Sequence, residues 1–330
     1  MTGQNGQHPV STGTAQPILR PISPPISVVV ATRDRPERLE RCLESICEAL
    51  RVKDELIVVD SASTDGRTTA VAIRAGAQLI RCEQPGASRA RNAGWRAARY
   101  PVVAFTDDDC RPARGWVAAL AEAFSDPGVG WATGPVAVPP GQEGTDRPVA
   151  LVPPRPAGAL TIRTPEPVGS GNNCAIRSDV LAALGGFDER LGPGTWLAAA
   201  EDLDVFDRLL AAGVAGRYVP AAVMHHEQWR DRRALLRLDW GYGKGQGARL
   251  ALIRERDPER GGARRRELLW TDGVASAWRD LRAGYEFGCA STSVRTAGTA
   301  VGYAYARCRM RNSTSRRLPD SEALPNQRPN

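Results

Sequence analysis

The chain has 330 residues, 42% of them hydrophobic and 25% charged, with a net charge of +7. This is the make-up of an ordinary folded protein, and it excludes a collagen-like chain, a disulfide scaffold or a wholly disordered polymer. Of the 44 basic residues only Lys53 and Lys244 are lysines. The arginine bias accompanies a composition rich in Ala, Gly and Pro, so no nucleic acid is expected as a partner. The length suits one large domain with appendages.

Residues 1–24 are rich in Gly, Gln, Pro, Ser and Thr and read as a disordered segment. Order starts with the apolar strand Ile26–Val30. A loop, Thr32-Arg33-Asp34-Arg35-Pro36, leads into a helix whose apolar residues Leu39, Cys42, Leu43, Ile46, Cys47 and Leu50 recur at helical spacing. A second strand, Leu56–Val59, ends at Asp60. Ser61–Gly66 reads as a turn into a short helix through Ala75. Leu79-Ile80 gives a third strand, Ala87–Arg99 a helix and Val102–Phe105 a fourth strand. Apolar strands alternating with helices imply an α/β fold, a mostly parallel sheet covered on both faces.

From Pro135 to Val168 the chain carries nine prolines and reads as a long functional loop. Gly169-Ser170-Gly171-Asn172-Asn173 then precedes a short strand, Cys174–Ile176. Ser178–Leu184 reads as a helix N-capped by Ser178 and stopped at Gly185-Gly186. Another helix starts near Glu201-Asp202 and stops at Gly213. Ala221–Met224 reads as a strand running into His225-His226-Glu227. From Arg230 the chain looks helical, with a Gly-rich break at Gly241–Gly245 and basic clusters at Arg230–Arg237, Arg264–Arg266 and Arg307–Arg317. This gives a main domain over 25–250, a helical extension over 251–311 and a disordered tail over 312–330.

The seven cysteines are scattered without metal-ligand spacing, as expected of free thiols in a reducing compartment. The N-terminus lacks a secretory signal pattern. No uncharged apolar run approaches the ~20 residues of a membrane helix. The expectation is a cytoplasmic protein, or one peripheral to the inner face of the membrane. Residues 285–311, mixing Tyr, Phe, Val and small residues with Arg at one end, suit an interfacial helix. They equally suit a helix packed on the main domain.

Chemistry concentrates at Asp107-Asp108-Asp109, where an apolar strand ends in three carboxylates. They repel one another unless cations compensate. Hard divalent cations prefer such oxygen ligands while also holding substrate phosphates. In parallel sheets ligands bind beyond the carboxyl ends of the strands. Three strands here end in Thr32-Arg33-Asp34, in Asp60 and in Asp107–Asp109, and these ends converge. A bland alternative is that the aspartates cap the helix starting near Trp116. A GxGxxG after the first strand is absent, against a dinucleotide-binding domain.

The ordered set Ser27–Arg33, Ile57–Gly66, Pro85–Gly94, Thr106–Cys110, Gly169–Asn173, Gly185–Glu189, Ala200–Asp204 and Val223–Glu227 resembles a bacterial family 2 glycosyltransferase with the GT-A fold. The resemblance implies sugar transfer from a nucleotide-sugar, usually a UDP-sugar, with a divalent metal (Mn²⁺ or Mg²⁺) and with inversion. It implies metal ligation by Asp107 and Asp109, with Asp108 beside the nucleotide. The choice between Asp108 and Asp109 as main ligand stays open. His225 matches a metal or diphosphate position, although His226 adjoins it. Thr32, Arg33, Asp60 and Arg91 resemble nucleotide-contacting residues, and Gly171 and Asn172 would line the sugar.

The resemblance places the catalytic base in Glu201-Asp202. A base must take the acceptor hydroxyl proton as that oxygen attacks the anomeric carbon. Asp202 is assigned this role, with Glu201 positioning acceptor or base. Acidic residues in a first helical turn are also favoured by the macrodipole alone. Asp204 is expected to pair with Arg208 on the helix surface. The acceptor would be a glycan, a lipid-linked sugar or a small molecule, in cell-surface glycan or secondary-metabolite synthesis. A nucleotidyltransferase or a non-catalytic sugar-nucleotide sensor are the rival readings. The first loop lacks the Gly and Lys expected of the former.

Overall fold

A computed structural model describes residues 23–143, 149–259 and 273–309. The expected disorder over 1–22 and 312–330 and the basic cluster at Arg264–Arg266 lie outside these residues.

Strand β1 (Ile26–Thr32) lies between β2 (Glu55–Ser61) and β4 (Val102–Asp107), with β3 (Gln78–Cys82) at the edge, and these pairs are all parallel. The residues of β1 and β2 are buried almost without alternation. That follows from helices covering both faces of the sheet. α1 (Pro36–Ala49) opens with Pro36, whose missing N–H costs nothing in a first helical turn, and buries Leu39, Cys42, Leu43 and Ile46. Each such fully buried aliphatic side chain contributes about 1.5–3 kcal/mol. α2 (Arg67–Arg74) and α3 (Ala87–Ala97) complete this parallel half.

The aspartates cap no helix. Asp108 and Asp109 form the turn between β4 and β5 (Cys110–Pro112), and α4 (Trp116–Ala123) follows. Beyond β4 the sheet continues through β9 (Cys174–Arg177), antiparallel to both β4 and β6 (Trp131–Thr133). It ends with β10 (Gly216–Tyr218) and β8 (Gly158–Leu160). A small second sheet sets β11 (Met224–His226) between β5 and β7 (Val136–Ala137). The Pro-rich segment therefore holds two short strands within its loop.

α5 (Ser178–Leu184) starts one residue earlier than expected, so Ser178 is helical and its hydroxyl reaches Pro101 O at 3.4 Å instead of capping. Gly185 ends the helix in the left-handed conformation. α6 (Glu201–Ala211) begins at the acidic pair itself.

The C-terminal region corrects two expectations. Helix α7 (Arg232–Arg256) runs unbroken through Gly241–Gly247, so the boundary expected at 250 falls inside a helix. After α8 (Ala275–Arg282), α9 (Glu286–Arg309) packs along α7. A Cβ on Gly243 would meet the Arg295 carbonyl, and one on Gly247 the Thr299 carbonyl. From the other side, a Cβ on Gly298 would lie 2.7 Å from Trp240 O. The glycines at 243, 247, 298 and 302, each pair four residues apart, let the two backbones touch. Close approach here overrides the poor helix propensity of glycine. Leu191, Leu197, Ala248, Ala251, Leu252 and Ala306 form a small core that ties this pair to the loop before α6.

Candidate active site

The C-terminal ends of β1 and β4, the loops around Gly171 and Ala199, and the helix pair α7/α9 enclose a cleft of about 870 Å³. Asp107 is the most open of the three aspartates, its side chain 34% exposed, while Asp108 and Asp109 are buried. Each has its own partners. Asp107 accepts from Arg91 at 2.7 Å. Asp108 accepts from Thr32 Oγ1 at 2.8 Å and Arg35 at 2.9 Å. Asp109 accepts from Trp229 Nε1 at 2.9 Å, with Arg35 and Arg230 each at 3.6 Å. The repulsion expected from the sequence is met by three guanidinium groups. Burial pushes Asp108 above the usual carboxylate range, against the pull of Arg35. Burial also pushes on Asp109, but hydrogen bonding and charge from His226, then Trp229 and Arg230, hold it well below that range.

The histidine assignment is corrected. His226 Nε2 lies 3.4 Å from Asp109 Oδ1, whereas His225 does not line the cleft. Successive side chains of a strand point to opposite faces, so β11 can turn only one of the two toward Asp109. His226 Nδ1 sits 3.1 Å from Val149 O and 3.0 Å from Gln228 Nε2, which fixes the ring.

Ligand atoms of Asp109, Cys110 and His226 all lie within 4.8 Å of one another. Burial, with Asp109 and Asp107, pushes the Cys110 thiol well above its usual range. The carboxylate–imidazole pair, with Asp107 at the end of β4 nearby, is the kind of donor set a hard or borderline divalent cation accepts.

Arg91 is 3% exposed and joins the two halves of the site. One terminal nitrogen donates to Asp107 and the other to Glu201, both at 2.7 Å. Two carboxylates hold its charge despite burial and raise its pKa further. Glu201 is pushed up to about 7, first by burial and further by Asp202, with Arg91 opposing. Asp202 accepts the Gly171 amide on Oδ2 at 2.7 Å and the Leu203 amide on Oδ1 at 2.8 Å. Asn172 lines the cleft with its Oδ1 buried and, among the described residues, without a hydrogen-bond partner. A buried polar atom left unpaired is costly, so this carbonyl oxygen points to a ligand donor group.

Arg33 lines the cleft half exposed, 3.4 Å from Asp34. Asp60 does not reach the cleft. It is fully buried, accepts the Ser63 amide at 2.9 Å and binds Arg81 at 2.6 Å, and so holds the turn after β2. Asp204 does pair with Arg208, at 2.8 Å, but the pair is buried and Arg256 of α7 joins it at 2.8 Å. From the Pro-rich loop Ala150, Leu151, Glu166 and Pro167 line the cleft.

Sequence reasoning missed Arg35, Trp229 and Arg230. Trp229 stacks with Arg38 at 4.0 Å, Arg230 at 4.3 Å and Arg35 at 5.2 Å, so one indole gathers cations around Asp109. The one available signal was the need of three adjacent carboxylates for cations. It also missed Tyr242 and Gln246 of α7, which line the cleft from within and just beyond the stretch read as a break.

Residues 27–185 match the family described as Glycosyl transferase family 2. The chain is similar to a pre-mycofactocin glycosyltransferase of Mycobacterium tuberculosis, 32% identical over 263 residues. That match covers 77% of this chain and 52% of the relative, so the chain spans about half the length of that protein. Glycosyltransferase AglE of Haloferax volcanii is 27% identical over 235 residues, 68% of this chain and 73% of that one. Among solved structures, a mannosyltransferase from Pyrobaculum calidifontis, in complex with GDP-Man and Mn²⁺, superposes with a TM-score of 0.61 at 20% identity. The alignment covers 86% of this chain and 88% of that one. The fold is the GT-A fold.

Proposed function

We propose that this chain, whose residues 27–185 match the family described as Glycosyl transferase family 2, transfers a sugar from a nucleotide-sugar to an acceptor hydroxyl, with inversion. The observation that carries this is Arg91, which ties the carboxylate of the Asp-rich turn to the acidic pair across one cleft. The donor occupies the β-strand ends and the acceptor the side of Asp202.

Asp107, Asp109 and His226 would hold a divalent cation, Mn²⁺ or Mg²⁺. When bound, it stabilises the negative charge of the departing diphosphate. Arg35 and Arg230, ordered by Trp229, add cationic charge from the protein itself. Thr32 fixes Asp108, and Arg33, half exposed beside Asp34, would meet the nucleotide. Asn172 Oδ1 accepts a hydroxyl of the sugar. Asp202, its carboxylate set by two backbone amides, takes the acceptor proton as the acceptor oxygen attacks C1 opposite the diphosphate. Glu201, held by Arg91, keeps the first turn of α6 in place.

The donor is proposed as a UDP-sugar and the acceptor as a glycan, lipid-linked or small-molecule hydroxyl compound, on the cytoplasmic side of the cell. The test is a hydrolysis screen of UDP- and GDP-sugars with Mn²⁺ or Mg²⁺. Metal-dependent release of nucleoside diphosphate is expected from one donor. No release from any donor, with no rise in melting temperature on adding UDP and Mn²⁺, would overturn the reading.

No described helix is long and apolar enough to cross a membrane. α9 buries Gly288, Ser291, Gly298 and Gly302, while Val301 and Tyr305 stay exposed. We propose that a peripheral membrane contact of this region also draws on α8, which has no buried residue and exposes Trp278 and Leu281 beside Arg279 and Arg282. Co-sedimentation with anionic vesicles that is unchanged by Trp278→Ala with Leu281→Ala would end this idea.

A further inference from the structure

The wall of the cleft opposite the strand ends comes from α7 and α9, outside the segment that matches the family. α7 lies hard against the loop that leads into the catalytic pair. A Cβ on Gly245 would be 2.5 Å from the Ala199 carbonyl carbon, and one on Gly241 3.2 Å from Ala198 Cβ. That loop is itself strained, with Ala198 and Ala200 at φ of +64° and +70°. Strain of this kind persists only where surrounding structure enforces it, and it clusters at functional sites.

Tyr242 and Gln246 each follow one of these glycines, one helical turn apart, and both line the cleft. Among the described residues the Tyr242 hydroxyl has no hydrogen-bond partner. The Gln246 carbonyl accepts a long bond from Arg249 at 3.4 Å, and its amide nitrogen donates to no described residue. Burial pushes the Tyr242 phenol up, against Arg230 and Arg295, with Asp202 and Asp109 adding to the push. It is therefore a neutral hydroxyl that feels both the base and the metal carboxylate.

We propose that Tyr242 and Gln246 are the acceptor-positioning residues of this site, and that the acceptor group they hold is polyhydroxylated and sugar-like. The proposal rests on the transferase reading above. The rest of the wall supports this class. Thr296 and Thr299 donate to the Thr292 and Arg295 carbonyls, leaving hydroxyl oxygens that accept. Arg295, the guanidinium of this wall, is neutralised by the buried Asp239, so the wall does not select an anion. Leu238 is its one aliphatic side chain among the described residues, too little to hold an acyl chain. Alternating donors and acceptors match the hydroxyls of a sugar.

The experiment measures transfer and hydrolysis together, with the best nucleotide-sugar from the screen and methyl glycosides of glucose, galactose and mannose as acceptors. In Tyr242→Phe and Gln246→Ala the ratio of transfer to hydrolysis should fall about tenfold, and the acceptor KM should rise, on the scale of one lost hydrogen bond. UDP affinity by calorimetry should stay within about twofold of wild type, as donor contacts lie on the other wall. A merely structural role would lower transfer and hydrolysis in proportion, with the acceptor KM unmoved, and that result overturns the assignment. Donor hydrolysis without transfer to any glycoside overturns the sugar-like class. Absence of donor hydrolysis in the wild type, together with no rise in melting temperature on adding UDP and Mn²⁺, overturns the transferase reading instead.

Discussion

Gly171 and Asp202 are fixed to each other: the glycine amide donates to the carboxylate at 2.7 Å, and a Cβ at 171 would lie 2.9 Å from Asp202 Cβ. Asp202→Asn keeps size but removes the proton acceptor. Transfer should fall by about 10²-fold or more, within the range of general base catalysis. Donor affinity should hold. Weak donor binding with a near-normal rate at saturation would make Asp202 a binding residue, and Glu201 the next candidate base. An NMR time course should show an inverted anomeric centre in the first product.

The two histidines separate cleanly. His226→Ala should raise the Mn²⁺ concentration for half-maximal activity about tenfold or more, the usual cost of losing one metal-site partner. His225→Ala should leave it within about twofold, because His225 lies off the cleft. The reverse order would return the ligand role to His225. Asp109→Asn should abolish metal-dependent turnover while circular dichroism shows an intact fold.

Glu201 makes stability depend on pH. Its pKa is raised from 4.5 to about 7, by burial first. Between those values the folded chain keeps a proton that the unfolded chain has lost. Stability from this group is therefore highest below the lower value and is lost as pH rises through the window. The stability of wild type minus that of Glu201→Gln should drop by about 1–3 kcal/mol between pH 5 and pH 8. Urea titrations at several pH values measure it. A difference that is flat or rises would mean that Arg91 keeps Glu201 ionised throughout.

The helix pair leaves no room for a side chain at Gly243, Gly247, Gly298 or Gly302. Gly247→Val should cost about 1–3 kcal/mol by overpacking. Gly158→Ala, where a Cβ meets nothing within 4 Å, should stay within about 0.5 kcal/mol. Thermal melts of both variants give the comparison, and equal losses would contradict the backbone contact.

Local pattern carried the parallel half of the sheet, because buried strands such as Val28–Val30 and Leu56–Val59 read as apolar runs whatever their partners. It also carried the Asp-rich turn and the Glu201-Asp202 pair, whose residue types announce their chemistry. Facing direction was not legible. Whether His225 or His226 meets Asp109 depends on the register of β11 with β5, set by residues more than a hundred positions away. Asp60 sits at a strand end of the expected kind, yet Arg81 from the next strand claims it. Gly241–Gly245 read as a break because propensity counts glycine against a helix, while the reason for glycine here is the close backbone of α9 at Gly243 and the loop before α6 at Gly241 and Gly245.

That contact changes what the last helix is. With Gly243 and Gly247 pressed on Gly298 and Gly302, α9 is the outer plank of the cleft, not a tail. A chain cut at Gly284 would lose Arg295, Thr296 and Thr299 from the cleft and leave a glycine-lined furrow on α7 open to water. Such a protein should fail at transfer and aggregate whether or not a membrane is involved. Drift in the sequence of α9 is then constrained by side-chain volume more than by hydrophobicity, and a single added methyl group at 298 or 302 should matter more than a new charge on its outer face.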